Sequence, residues 1–543
     1  MRKGAKIALI VVGSIVGFLL IAWISVDVWM SRVAHNAIQK SLSSMKDSEL
    51  VVRTGNIHVE LLTGMIDITD IYIATDTNTF DTSEPRKTPG MEIAIPHLTL
   101  ELINYYELIR YRHIQLFGIT LHHPRAVVWL DEKHPDACLP KFPKDTNMVK
   151  VHTKLAGIDL GRVRLNRLSA ELKSVRTHLY TKVDSLSAEV KDLQYTFADS
   201  LFSYNDSLYS VSADRLYLCL PDGSKDLTLC NFETKDSGPV RLGETRLRDL
   251  ISIKRMAEKA KEPVSWIDLT LARLETSPIN PIHKVMNKDW TLDSLFVDVK
   301  RMQLIRDTHY EPKKPFPTPQ QFLLKLPVKF EVKRVGAHVS EIDIQLTTTG
   351  TTYGQLQLKD IKASMQHVTN RRNAVWTNHV RAPFGQQGKV NAMFAMYMNP
   401  ESTFDCEIFG KDLELGLLNP LIKPLTGLTF ESHVDRLEST YCGNRSVSNG
   451  DFLMMYHGLS VAYHPEVQVS IKALKQHGKT IENLANSLIP KSNPTAVDIA
   501  PRRYKVTWER DEWKPYPLYV FGPCINGVVE TMLPGLYAHK QIR

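Results

Sequence analysis

The chain has 543 residues, with 67 Lys and Arg against 59 Asp and Glu for a formal charge of +8, 43% apolar residues and 8% aromatics. That composition is globular, excludes a disordered chain and allows a sizeable core. The basic excess is small and interspersed with acids, which argues against a nucleic-acid partner, and a negative mean hydropathy excludes a protein of many membrane spans.

In chain order the first signal is Ile7 to Val26, IALIVVGSIVGFLLIAWISV, which carries no charge and as a helix would span about 30 Å, one bilayer. Arg2, Lys3 and Lys6 precede it, and Trp23 and Trp29 stand near its far end, where indoles favour the interface. No A-x-A cleavage site follows, so an uncleaved anchor is expected over residues 7–29 with residues 1–6 as a cytoplasmic leader. The rest of the chain is then expected on the far side of a single-pass membrane anchor. Gly13 and Gly17 form a GxxxG, a weak sign of helix pairing.

From about Val51 the dominant pattern is period-two alternation, as a sheet with one dry face requires. It appears in Ile57, Val59 and Leu61, then in Ile66, Ile68, Ile71 and Ile73 with one break, and in Ile93, Ile95, Leu98, Leu100 and Leu102. It returns in Leu295, Val297 and Val299, in Val328, Phe330 and Val332, in Ile342, Ile344 and Leu346, and in Phe394, Met396 and Met398. Turn residues such as Thr63-Gly64, Pro221-Asp222-Gly223 and Asn449-Gly450 separate the runs. Helical patterns are few: Arg246 to Lys261, Asn104 to Tyr111, Gly416 to Ile422 and Thr480 to Leu488. Five prolines between Asp307 and Pro327 exclude a helix or a central strand there and predict a linker between two sheet halves. The expected division is a β-rich region over 45–305, a proline-rich linker over 306–327, a second β-sheet region over 328–475 and a helical, aromatic end over 476–543.

Chemistry-bearing motifs are scarce. Six cysteines (Cys138, Cys219, Cys230, Cys406, Cys442, Cys524) show no CxxC; Cys219 and Cys230 are placed either to bridge a hairpin or to remain separate thiols. His113, His122 and His123 lack any HExxH or Cys/His spacing, and His97, His433 and His457 are solitary. Gly478-Lys479-Thr480 ends like a phosphate-binding loop, but Ala473 stands where that loop needs glycine. No G-x-S-x-G elbow occurs. No catalytic residue, cofactor or metal is assigned, and the protein is expected not to be an enzyme. The C-terminal stretch from Trp508 to Leu536 combines aromatic and apolar residues; it suits either a membrane-facing or partner-docking tip, or packing of the last strand and helix on the sheet end.

The order of these signals resembles the AsmA-like proteins, relatives of the TamB and bridge-like lipid transfer families. After the anchor, Gly55-Asn56-Ile57 through Leu61-Leu62-Thr63-Gly64 and Ile68-Thr69-Asp70-Ile71 look like the family's opening hairpin. Ile95-Pro96-His97-Leu98-Thr99-Leu100, then Tyr105-Tyr106-Glu107-Leu108-Ile109, then Ile114 to Leu121 running into His123-Pro124, are similar to its strand, short helix and strand ending at proline. Gly354 to Ile361, Leu417 to Gly427 and Gly450 to Leu459 resemble its C-terminal region, while Arg125 to Trp290 matches least.

The resemblance implies a mainly β protein, an N-terminal transmembrane helix followed by a long curved antiparallel sheet, groove-like as an open half-barrel, with few short helices. It further implies anchorage in the inner membrane of a diderm cell envelope with the ectodomain in the periplasm. The expected function is binding or transfer of phospholipid or another acyl lipid in an apolar groove, for outer-membrane homeostasis. Groove-lining candidates are Ile66, Ile68, Ile93, Ile95, Val328, Phe330, Ile342, Ile344, Phe394 and Met396. Membrane lipid is the expected partner, with an envelope protein as a further one. The alternatives are an envelope assembly factor or scaffold that binds outer-membrane proteins along its strand edges, and two closed sheets packed face to face, which would bury the same residues and bind nothing.

Overall fold

The computed structural model describes residues 50–60, 63–75, 90–130, 156–196, 201–203, 209–280, 290–348, 351–465 and most of 479–532, with Arg32 and Val467 as isolated positions. The expected anchor over 7–29, its leader and Cys138 lie outside the described residues. Among the described residues, no helix is long and apolar enough to cross a membrane. The chain is mainly β with few short helices, in two compact units, residues 1–240 and 241–543.

In the first unit, β1 (Leu50–Arg53) and β2 (Ile57–Glu60) both pair with β3 (Met65–Thr75), which pairs with β4 (Gly90–Ile103). The short helix α1 (Tyr105–Tyr111) links β4 to β5 (His113–His122), and Asn104 caps it by accepting from the Glu107 amide at 3.2 Å. The strand β4 also pairs with β6 (Arg125–Leu130), and β5 and β6 both run parallel to β7 (Gly157–Ser174). Then come β8 (Tyr180–Thr196), the three-residue β9 (Leu201–Ser203), β10 (Tyr209–Cys219) and β11 (Lys225–Lys235), with β10 lying between β8 and β11. The next strand, β12 (Pro239–Leu242), spans the division between the units.

This sheet is bent along lines that cross its strands. Asp70 in β3, His123 between β5 and β6, Arg167 in β7, Ser185 in β8 and Asn231 in β11 all have φ between 49° and 55°, and the register places them in adjoining rows. A left-handed residue turns the strand and lets alternation resume one residue later, which accounts for the step from Ile68 to Ile71. A second line joins Gly64, Leu102, Phe117, Gly161 and Asp192, with positive φ at Gly64, Leu102 and Asp192. At Gly161 an added Cβ would lie 2.8 Å from the Phe117 carbonyl oxygen, so only glycine permits this approach.

The second unit contains β13 (Thr245–Asp249), α2 (Ile253–Ala260), β14 (Val264–Pro278), β15 (Trp290–Asp307), α3 (Pro319–Leu324), β16 (Phe330–Thr348), β17 (Thr351–Thr369), β18 (Val375–Phe384) and β19 (Gly388–Tyr397). It continues with β20 (Phe404–Glu414), α4 (Asn419–Thr426), β21 (Leu428–Gly443), β22 (Val447–Tyr463), β23 (Arg503–Glu509) and α5 (Tyr516–Met532). From β13 to β23 each strand pairs with the next, antiparallel everywhere except β15 with β16. The expectation of a wholly antiparallel sheet is thus corrected: β5, β6 and β7, and β15 and β16, make parallel contacts, which need long crossover connections.

The proline-rich segment is one of those crossovers and lies inside the second unit. Thr318 and Pro319 start α3 with a capping box to Gln321, and the fully buried Thr318 hydroxyl meets Ser402 Oγ at 2.7 Å. The Phe316 amide donates to the Glu512 carbonyl at 2.8 Å. The expectation that the prolines leave no helix here is corrected: Pro319 sits in the first turn of α3, where its missing N–H costs no intrahelical bond, and the segment is tied down at both ends.

One further expectation is corrected, and one left open is decided. The helix expected over Arg246–Lys261 shrinks to α2, because Leu247 opposes Leu269 and Arg246 forks onto Asp268 at 3.1 and 2.6 Å, holding the first part in the sheet as β13. Ser252 then caps α2, and Lys261 in the left-handed region ends it. Cys219 and Cys230 stay separate free thiols, since the register sets Cys219 opposite Asp226 and Cys230 opposite Arg215. The stretch expected helical over Gly416–Ile422 is helical, a 3₁₀ turn leading into α4.

The closely packed core lies in the second unit. One cluster joins Leu413, Val434, Leu437, Phe452, Met454 and Tyr456 with Ile489 and Val506; another joins Phe404, Cys406 and Tyr441 with Tyr516, Tyr519 and Val520 of α5. Close seating of α5 relies on glycine: a Cβ at Gly527 would sit 2.1 Å from the Phe452 ring, and one at Gly522 would sit 2.4 Å from the Trp508 indole.

Candidate functional site

The strand pairings convert sequence alternation into continuous apolar rows. In the first unit one row runs Val59, Ile66, Leu100, Ile119, Val163, Val190 and Tyr209 over seven strands. The row beside it runs Ile57, Ile68, Leu98, Leu121, Leu165, Ala188 and Val211. Across the bend, Ile73, Ile93, Ala126, Ala170, Val183, Leu216 and Leu229 form a third. Six inter-strand steps of about 4.8 Å make such a row about 29 Å long.

These rows are not packed like a protein interior. Their ends, Val59 and Tyr209, are buried, but Ile66, Leu100, Ile119, Val163 and Val190 are only half-buried. The one described helix of the unit, α1, stands at the ends of β4 and β5 rather than on the apolar rows.

The other face is polar and internally paired. Asp67 accepts from Thr99 at 2.9 Å and meets His97 Nε2 at 2.9 Å; Arg162 donates to Glu101 at 2.5 Å and Arg164 to Glu189 at 2.7 Å. His97 and His122 stack with ring centroids 5.1 Å apart. Burial lowers the His122 pKa, helped by repulsion from His97 and His123. In the second unit, His338 bridges Asp298 and Asp360 at 3.0 Å each, which raises its pKa, Asp360 contributing most. His433 is raised likewise by Glu414, 2.7 Å from its Nδ1. Among the described residues, no three His, Cys, Asp or Glu side chains are grouped to hold a metal ion. A shallow cavity of about 460 Å³ over β17–β20 is lined by Ser364, Thr377, His379, Met393, Asp405 and Glu407 among others.

The apolar rows of the second unit have two environments. One row runs Leu295, Val335, Met365, Asn378, Phe394, Cys406, Tyr441, Gly450 and Val506. Leu295, Val335, Met365 and Phe394 are half-buried, whereas Cys406, Tyr441 and Val506, where α5 lies on the sheet, are 4%, 2% and 1% exposed. Rows through Ile267, Leu304, Ile344 and Leu356, and through Leu269, Met302, Ile342 and Leu358, are half-buried throughout.

Of the ten candidates, Ile66 and Ile68 lie in two adjacent rows on one side of a bend, and Ile93 and Ile95 lie on the other side. Ile342, Ile344 and Phe394 are half-buried row members, Met396 is buried at 5%, and Phe330 starts β16. Val328 precedes β16 and is 48% exposed, outside any row. Ile119, Val163, Leu165 and Val190 complete the rows and escape the sequence reading. Their signal is alternation interrupted at Arg167 and Asp192, visible once left-handed breaks are allowed for.

The chain matches no protein-family model, and no curated protein matches it.

Proposed function

We propose that this is a non-enzymatic protein, anchored in the inner membrane and facing the periplasm, whose apolar sheet face binds or transfers phospholipid or another acyl lipid for outer-membrane homeostasis. The observation that carries the reading is the set of unbroken apolar rows whose central residues are half-buried in the first unit, each long enough to hold an extended acyl chain. Apolar surface of that extent, with no helix over it among the described residues, favours a ligand or partner. Each methylene laid on it contributes about 0.8 kcal/mol, so affinity comes from area rather than from one residue. The N-terminal apolar stretch and the resemblance to AsmA-like proteins support the location.

The test is site-specific photo-cross-linking in the full chain, with benzoylphenylalanine at Leu165 on the apolar face or at Arg164 beside it on the polar face. Lipid adducts at position 165 and none at 164, read by mass spectrometry, are expected. Adducts to protein alone at both positions would favour the scaffold reading; no lipid adduct at 165 overturns the lipid reading.

A further inference from the structure

The row from Leu295 to Val506 changes environment at β20. Up to Phe394 it is half-buried; beyond it the same face is covered by α5, whose Tyr516, Tyr519 and Val520 pack on Phe404, Cys406 and Tyr441. The covered and uncovered stretches are one face, joined residue by residue through Phe394 opposite Cys406 and Cys406 opposite Tyr441.

We propose that the face beneath α5 is a latent acyl-chain site, continuous with the open rows, for which α5 and a hydrocarbon chain compete. This rests on the lipid-binding reading above. Three features of the contact set it apart from ordinary core. Asn526 Oδ1 on α5 is buried without a hydrogen bond, and Tyr441 Oη, Ser439 Oγ and Tyr516 Oη have only strained contacts with Cys406, Cys524 and Gln320. Such groups cost stability in a permanent interior, and separating helix from sheet lets them be satisfied. Secondly, the outer side of α5 is apolar too, with Leu518, Phe521 and Ile525 at helical spacing and 49%, 51% and 45% exposed. A lifted helix therefore still has an apolar side to lay along a hydrocarbon chain. Thirdly, the helix carries a single charge, Glu530, within Tyr516–Met532, so displacement into an apolar layer desolvates little.

Cys406 supplies the reporter. It is 4% exposed beneath α5, and burial pushes its thiol up to about 11, so it resists alkylation while the helix is seated. The full chain, wild type and Gly527→Leu, is incubated with a diazirine-bearing palmitate, illuminated and mapped by peptide mass spectrometry. The leucine would drive side-chain carbon into the Phe452 ring and lift the helix. In the wild type, adducts are expected on the open rows around Met365 and Phe394, with few on β20–β22. In Gly527→Leu, adducts on peptides holding Cys406 and Tyr441 should rise at least fivefold. Iodoacetamide should label Cys406 at least threefold faster in Gly527→Leu than in the wild type, and unmodified palmitate, laid on the bared face, should reverse that gain. In the wild type, unmodified palmitate should accelerate amide hydrogen exchange of α5 at least threefold, a readout independent of whether the variant folds. Exchange of α5 unchanged by palmitate, with adducts still on the open rows, overturns the latent site and leaves the lipid reading standing. Absence of adducts from every apolar row in both proteins overturns both.

Discussion

Strands β20–β23 and strands β3–β10 carry the same alternation and end in opposite states. In the first region Phe404, Phe452, Met454 and Tyr456 are at most 1% exposed, beneath α5 and the segment holding Ile489. In the second, the central residues of each row are half-buried with no described helix over them. The comparison teaches that alternation specifies a dry face but not what keeps it dry. In one region the chain supplies its own cover. In the other, no described helix lies over the rows, and the proposed function rests on that difference.

The largest expected effect is at the covered end. Phe452→Ala should cost about 3–5 kcal/mol in urea unfolding, whereas Ile119→Ala in the open rows should cost about 1 kcal/mol. Equal costs would mean the two faces are packed alike and would remove the contrast. Next, Leu165→Glu should lower stability by less than about 1 kcal/mol, since a half-buried carboxylate reaches water, yet abolish co-purified lipid. Unfolding by this one substitution would show that the face is sealed as a sandwich is. Thr318→Ala, which removes the α3 cap and the bond to Ser402, should cost about 1 kcal/mol and loosen the crossover against β20; hydrogen exchange of α3 measures it.

The smallest effect is electrostatic. His338, held by Asp360 and Asp298, has a pKa raised above 6.5. Its contribution is therefore fully present below 6.5 and fades as pH rises through the raised value. At this partly exposed site it should amount to under about 1 kcal/mol. His338→Gln should flatten that part of the stability profile, and an unchanged profile would show that the bridge contributes nothing.

Local signals made much of this fold legible. The stretch Asn104 to Tyr111 marked a short helix between strands, and the runs at Ile66–Ile73, Ile93–Leu100 and Ile342–Leu346 marked strands and their apolar side. Even the break between Ile68 and Ile71 was in the letters, because Asp70 is a residue type that tolerates the left-handed region. The failures were non-local. Arg246–Lys261 has helical periodicity, but pairing with β14 claimed its first part; the prolines of 307–327 suggested a structureless linker, whereas the segment holds α3 and joins β15 and β16, which lie parallel on either side.

Residue type and near-neighbour spacing were enough to mark many of the strands, such as β3, β4 and β16, and the scarcity of catalytic motifs, but not β7, β8, β10 and β11. Only the tertiary structure decided which strands are neighbours, how rows from distant segments join, and that α5 covers one stretch of a face left open elsewhere. Those outcomes depend on close approaches such as Gly527 on Phe452 and Gly161 on the Phe117 backbone, made between residues that the sequence holds far apart.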